Sequence, residues 1–407
     1  MARDFTKVFI TQKGEKHIKT GHPWVFGEEI TAVEGEYTNG DVVDVYSQKE
    51  RYLGSGYIND NSKIRVRVIS RNANDKFDNA FYERRLRYAV DYRRTVMGGT
   101  DFKCCRLVFG EADGFPGLTV DRFNNVLVVQ VLSLGIERIK TFIINKLVEV
   151  LREYGEIIDA VYERNDVDIR EREGMNQYKG FFVGDALKTD LSGITEITEN
   201  GIKYAVDYIN GQKTGFFLDQ KYNRLSIHKI AEGRKVLDCF THTGAFALNA
   251  AKAGAKLVTA VDISEEALSS AKRNADLNGF TNVEFKCANV FDLLTEMKEN
   301  KSCDYDFIIL DPPAFTKSSA TVKSAYRGYK EINLKAMKLL PRGGYLATCS
   351  CSHFMPDELF KKMLCDAAND AGVSLRQVEC RQQSADHPIL WNVPETDYLK
   401  FYIFQVV

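Results

Sequence analysis

Cys349 and Cys351 stand one residue apart at the end of the apolar run Gly344-Tyr345-Leu346-Ala347-Thr348. A thiolate at such a strand end can add to an electrophilic ring carbon. Added to carbon 6 of a pyrimidine, it makes carbon 5 nucleophilic, which an amine acceptor would not need. Buried strand cysteines most often serve as small hydrophobes. Here Cys351 falls at the strand end and Cys349 deeper, so Cys351 is the expected nucleophile and Cys349 its neighbour. Ser350 and Ser352 give the exit a polar character that favours thiolate formation. Upstream, the run Asp306-Phe307-Ile308-Ile309-Leu310 closes on Asp311-Pro312-Pro313-Ala314-Phe315. Two prolines stiffen that turn and remove donors, so it can present carbonyls and one carboxylate to a flat acceptor. Asp311, Pro313 and Phe315 are the expected acceptor-side residues, with Asp311, Cys349 or a water open as the base that completes the reaction.

A second constellation suits a nucleotide-like cofactor. Lys235-Val236-Leu237-Asp238-Cys239-Phe240 reads as a buried strand that leads into Thr241-His242-Thr243-Gly244 and an alanine-rich helix. The next strand, Leu257 to Val261, ends on Asp262, an acid 24 residues after Asp238. That spacing suits a carboxylate that grips ribose hydroxyls. Each acid alone could be a helix cap. Only Gly244 marks the turn and the full GxGxxG is missing, which argues against a nicotinamide dinucleotide. Phe240, Thr241, Thr243, Gly244, Ile263 and Pro312 complete the expected pocket. Asn289, after the strand Val283–Cys287, is placed to meet an adenine amino group, with Asp292 as the weaker alternative.

These residues need elements to position them. From about residue 186, strands alternate with helices, the pattern of a parallel sheet covered on both faces. Residues 1–74 read as short alternating strands broken by glycine, a small β-barrel. Ile64-Arg65-Val66-Arg67-Val68 places Arg65 and Arg67 on one face as candidate nucleic-acid contacts. Residues 75–188 read as α+β, opening on an arginine-rich helix over 81–96. The loops at 110–118 and 163–168 are glycine- or proline-punctuated or acidic turns.

Composition sets bounds. The 407 residues carry 55 basic and 56 acidic side chains, a formal net charge of −1, so any RNA-binding surface must be a local patch. Nine cysteines without CxxC spacing suit reduced thiols in a cytoplasm, and the six histidines offer no metal spacing. The N-terminal segment from Met1 lacks a signal-peptide core, and no run approaches the ~20 apolar residues of a membrane span.

Several segments together carry a family resemblance. They are Gly21-His22-Pro23-Trp24, Gly110 to Leu118, Gly211-Gln212-Lys213-Thr214-Gly215-Phe216-Phe217-Leu218-Asp219-Gln220, Asp238 to Gly244, Asp311-Pro312-Pro313 and Thr348 to Ser352. The chain resembles the ribosomal RNA large subunit methyltransferase I family. The resemblance implies an α/β fold, a Rossmann-like class I methyltransferase domain at 189–407 preceded by a small PUA-like β-barrel at 1–74 and a central, RNA-facing α+β domain at 75–188. It also implies formation of 5-methylcytosine in 23S rRNA, S-adenosyl-L-methionine as cofactor, RNA as partner, no membrane, and a homodimer as an open possibility. Lys213, Thr214, Phe217 and Asp219 are cofactor contacts by resemblance alone. Two other readings remain open: an exocyclic-amine methyltransferase using Asp-Pro-Pro on RNA guanine or adenine, and a non-enzymatic RNA-binding assembly factor. Ala314, standing where amine methylators usually have an aromatic, weakens the first of these.

Overall fold

A computed structural model describes residues 4–300 and 302–407. The first three residues of the segment read for a leader lie outside the described residues. The chain packs as two units. One takes the chain up to residue 197 with 206–218 and 385–396, and the other takes 198–205, 219–384 and 397–407. No helix among the described residues is long and apolar enough to cross a membrane.

The first unit contains two sheets. Six strands between Lys7 and Ser70 form the first, around Val8, Ile10, Val25, Val43, Val45, Val66 and Val68. Alternation along Ile64–Ser70 buries Val66 and Val68 and turns Arg65 and Arg67 the other way, as the period of two requires. Neither arginine is left as an open cation. Arg67 meets Glu111 at 3.2 Å and Glu173 at 3.0 Å, and Arg65 pairs with Asp60. The second sheet has five strands between Cys104 and Phe181 and packs beneath the helix Asn79–Val96.

Two arginines of that helix, Arg93 and Arg85, work inward, while Arg84 and Arg94 stay exposed. Arg93 is fully buried, donating to the carbonyls of Arg106 and Asp386 at 2.9 Å and pairing with Asp113. Arg85 donates to the Gly114 carbonyl at 3.0 Å, and Arg87 bridges Glu83 and Glu153. Loop carbonyls need donors, and long guanidinium side chains supply them without breaking the helix.

The second unit is a seven-stranded sheet: β1 (Lys235–Cys239), β2 (Leu257–Asp262), β3 (Val283–Cys287), β4 (Phe307–Leu310), β5 (Tyr345–Ser350), β6 (Leu375–Arg381) and β7 (Lys400–Val406). Its order is β3-β2-β1-β4-β5-β7-β6, with β7 antiparallel to both neighbours. The helices are α1 (Ala245–Lys252), α2 (Glu265–Asn278), α3 (Val290–Glu299), α4 (Val322–Leu339) and α5 (Asp357–Ala371). Central strands are apolar on both sides because both faces are covered. Leu237, Ile308 and Leu346 pack with α3, α4 and α5, while Val236, Ile309, Ala347 and Cys349 pack with α1. The sheet order reverses between β1 and β4, and such a switch point opens a crevice at the carboxyl ends of the strands.

One buried ion pair ties the segment before β1 into this unit. Arg224 donates to both oxygens of Glu199, at 2.6 and 2.9 Å, with neither side chain more than 2 % exposed. Glu199→Gln would strand a buried guanidinium, and a loss of ~3–5 kcal/mol is expected. Urea unfolding of the full chain checks this; a change below about 1 kcal/mol would show that the pair contributes little.

Candidate active site

Asp238 lies near the carboxyl end of β1, is 0 % exposed, and accepts from Thr241 Oγ1 at 2.5 Å and from the Ala247 amide at 2.9 Å. Both contacts use Oδ2, and Oδ1 is buried without a hydrogen-bond partner. The turn that follows is strained: Phe240, His242 and Gly244 have φ of 65°, 50° and 84°. A left-handed conformation costs a non-glycine residue on the order of 1–3 kcal/mol and persists only where neighbours enforce it. Here the enforcement is carboxylate chemistry. Asp238 holds the Thr241 hydroxyl, Asp262 Oδ2 accepts the His242 amide at 2.9 Å, and the Thr241 amide bonds the Val261 carbonyl. Gly244 is required by packing as well, since a Cβ there would lie 3.0 Å from the Ala271 Cβ. Burial lowers the pKa of His242, against the opposing pull of Asp262.

Asp262 is only partly covered, and its Oδ1 accepts the Ser264 amide at 3.0 Å. Beside it Ile263 is 70 % exposed, an apolar surface next to a carboxylate. The Asn289 side chain caps α3, accepting the Phe291 amide at 2.9 Å, so its carbonyl oxygen is already engaged once. Asp292 is exposed in the first turn of that helix. A bound S-adenosylmethionine suits this set. The orphaned Asp238 oxygen is an acceptor awaiting a donor, and the cluster of acids favours a cation. Burial foremost, helped by the charges of Asp311 and Asp262, raises Asp238 to about 7.

The acceptor side is built at the ends of β4 and β5. Asp311 Oδ1 receives the Cys349 thiol at 3.0 Å and the Gln220 amide at 3.1 Å. Burial, with the charge of Asp219 beside it, pushes Asp311 up to about 6. Cys349 also donates to the Leu310 carbonyl at 3.3 Å, and burial followed by the Asp311 charge drives its thiol well above the usual range. Cys351 lies one residue past the end of β5 and is partly exposed. The residues that flank it are clamped. Ser350 Oγ donates to Tyr329 at 3.0 Å, and Ser352 Oγ donates to the Thr316 carbonyl at 2.8 Å.

Not every expected residue joins this cluster. Pro312 is buried and Pro313 exposed, as a wall would be, but Phe315 is packed between Phe291 and Tyr329 with ring centroids 6.0 and 4.5 Å away. Asp219 accepts the Tyr398 hydroxyl at 2.7 Å within the second unit. Lys213, Thr214 and Phe217 belong to the first unit. There Thr214 donates to Asp121 at 2.6 Å, and the Lys213 ammonium lies over the Phe217 ring at 4.7 Å. Thr243 sits partly covered within the turn. Gln220, Tyr398 and Lys400 escaped the sequence reading. Gln220 ended a segment singled out there, whereas nothing local marks Tyr398 or Lys400.

A doubly wound sheet in this order, with acids at the ends of β1, β2 and β4, defines a Rossmann-like methyltransferase of the S-adenosylmethionine-dependent class. Residues 163–404 match the family described as S-adenosylmethionine-dependent methyltransferase, and residues 8–71 match a PUA-like domain. The Ribosomal RNA large subunit methyltransferase I of Klebsiella pneumoniae is 37% identical over 405 residues, covering 99% of each chain. That of Shewanella amazonensis is 41% identical over 394 residues, covering 96% of this chain and 97% of its own. A solved putative methyltransferase from Streptococcus mutans shares the fold at a TM-score of 0.81 and 22% identity, covering 98% of this chain and 100% of its own. The chain belongs to the ribosomal RNA large subunit methyltransferase I family.

Asp238 and Asp311 titrate at about 7 and 6 in the fold, above the roughly 3.9 of an exposed aspartate. Between those limits the folded chain therefore holds more protons than the unfolded chain. The resulting stabilisation is complete below about pH 4 and is lost as pH rises through 7. Asp238→Asn should flatten this slope in cofactor-free protein. Thermal unfolding between pH 5 and 8 reads it, and an unchanged slope would show that Asp238 ionises normally.

Proposed function

We propose that this S-adenosylmethionine-dependent methyltransferase forms 5-methylcytosine in large-subunit ribosomal RNA, 23S rRNA, through a covalent adduct on Cys351. The observation that carries the reading is the opposite condition of the two thiols. Cys349 is 0 % exposed and donates to Asp311, whereas Cys351 is partly exposed beyond the strand end between two clamped serines. A nucleophile must be reachable, and of the two thiols Cys351 is the reachable one. The names of the full-length relatives support a ribosomal RNA acceptor.

Asp262, Ile263, Asp238, Asn289 and the turn at 240–244 would hold the cofactor, which supplies an electrophilic methyl group when bound. The base enters extruded from its stack. Asp311 and the Pro312-Pro313 backbone hold its Watson–Crick edge. The Cys351 thiolate bonds to carbon 6, and the ring electrons displaced from the carbon 5–carbon 6 double bond make carbon 5 the nucleophile for methylation. Removal of the carbon 5 proton then returns an electron pair to that double bond and expels the thiolate. Cys349 keeps its proton and so serves as a donor to Asp311, leaving Asp311 or a water as the base.

The cations nearest in sequence to this acceptor loop are also suited to RNA. Lys317, Lys323 and Arg327 are exposed and make no ion pair among the described residues, in contrast to Arg65 and Arg67. Lys323 and Arg327 stand one turn apart on α4, where they can track a phosphate backbone.

Cys351→Ala should abolish turnover and fail to form a denaturant-stable complex with RNA containing 5-fluorocytosine. Cys349→Ala should keep activity to within about tenfold, the value of one lost hydrogen bond. Full activity of Cys351→Ala would sink the covalent reading. Replacing both Lys323 and Arg327 by Glu should raise KM for RNA with kcat little changed, and lower the salt dependence of binding by about one unit per lost contact. Unaltered binding would place the RNA elsewhere.

A further inference from the structure

Lys400 opens β7 and is 4 % exposed, an expensive place for an ammonium. Its position relative to the nucleophile is fixed from both sides. Lys400 pairs in register with Ser350, the residue before Cys351. Its Nζ donates at 2.7 Å to the carbonyl of Ser352, the residue after Cys351, and at 2.9 Å to the carbonyl of Tyr398. Lys400 thus holds the stretch centred on Cys351 at both ends, by its backbone at Ser350 and by its ammonium at Ser352. Both hydrogen-bond partners are neutral carbonyls, which orient a cation without neutralising it, and one of its three donors remains for a further contact.

We propose that Lys400 is the positioning residue of the nucleophile, holding the Ser350-Cys351-Ser352 backbone in place and keeping Cys351 ionised near neutral pH. The inference rests on the reading of Cys351 as the nucleophile. On ionisation the thiol proton passes to water and Lys400 keeps its charge. Because the thiolate is regenerated when the adduct collapses, no net change at Lys400 is needed over a turnover.

The charged and titratable groups around the pair set its limits. Asp397 from the loop before β7 and Asp357 from the start of α5 act on Lys400 together with Cys351. Tyr329 from α4 and Cys349 from β5 act on the Cys351 side. Burial depresses Lys400 to about 8, so it remains a cation at pH 7 but loses its charge within reach of mild base. The two aspartates oppose a thiolate. The Lys400 ammonium is the group of this set that favours one, and an opposite charge at close range moves a pKa by about 1–3 units.

The test is the rate of iodoacetamide alkylation of Cys351 against pH, read by mass spectrometry of its peptide in full-length protein. Exposed Cys365 serves as an internal reference, and buried Cys349 reports that the fold is closed. In the wild type Cys351 should react with a midpoint at least one pH unit below Cys365. Lys400→Met should raise the Cys351 midpoint by at least one unit, a tenfold loss of thiolate, and Lys400→Arg should restore most of it. A Lys400→Met midpoint equal to that of the wild type would overturn the proposal. Should Lys400→Met open the fold and expose Cys349, Lys400→Gln, which keeps a neutral donor for the Ser352 carbonyl, decides: a Cys351 midpoint raised by at least one unit supports the field of Lys400, and no shift overturns it. Failure of the nucleophile reading is separate, since it shows as turnover by Cys351→Ala whatever the alkylation profile.

Discussion

The Cys349 thiol donating to Asp311 joins the carboxyl ends of β4 and β5 into one site. Removed from water, a carboxylate needs donors, and the fold supplies a thiol and the Gln220 amide, not a cation. Burial, with the Asp219 charge beside it, outweighs these donors and keeps Asp311 near the edge of ionisation. Burial first, and then the Asp311 charge and the same contact, push the Cys349 thiol well above its usual range. Two cysteines one residue apart therefore stand in opposite surroundings, Cys349 shielded within the strand and Cys351 partly exposed past its end.

The cofactor half obeys a similar economy. Asp238 holds the Thr241 hydroxyl and Asp262 the His242 amide of the turn between β1 and α1, and their pull stabilises two left-handed non-glycine residues there. Pre-formed strain of this kind keeps a binding loop open instead of letting it relax onto the sheet. Buried acids in mutual repulsion then make the crevice receptive to a positively charged ligand.

Much of the architecture was legible because it is local. β2 and β3 occupy the runs that hydrophobic patterning marks, and β1, β4 and β5 differ by a residue or so at an end. The acids at 238, 262 and 311 were legible because a doubly wound sheet places strand ends, and hence the residues after them, on one rim. What patterning misjudged were the arginines. Arg67 and Arg93 look like surface charge in sequence, yet Glu111, Glu173 and Asp113 meet them from distant segments. Phe315, expected on the acceptor side, packs between Phe291 and Tyr329. Asn289 turned out to cap a helix, a role its position before Val290 also permits.

By itself the sequence determined the class of fold, the cofactor, and the place of two cysteines at one strand end, since periodicity, turn residues and strand-end acids are encoded in consecutive residues. Only the tertiary structure decided which thiol is shielded, which carboxylates are pushed toward neutrality, and which lysine is buried against the Ser352 carbonyl. Those properties depend on burial and on charges brought together across hundreds of residues: Gln220, Asp311, Cys349 and Lys400 meet at one rim although no short stretch of chain contains two of them.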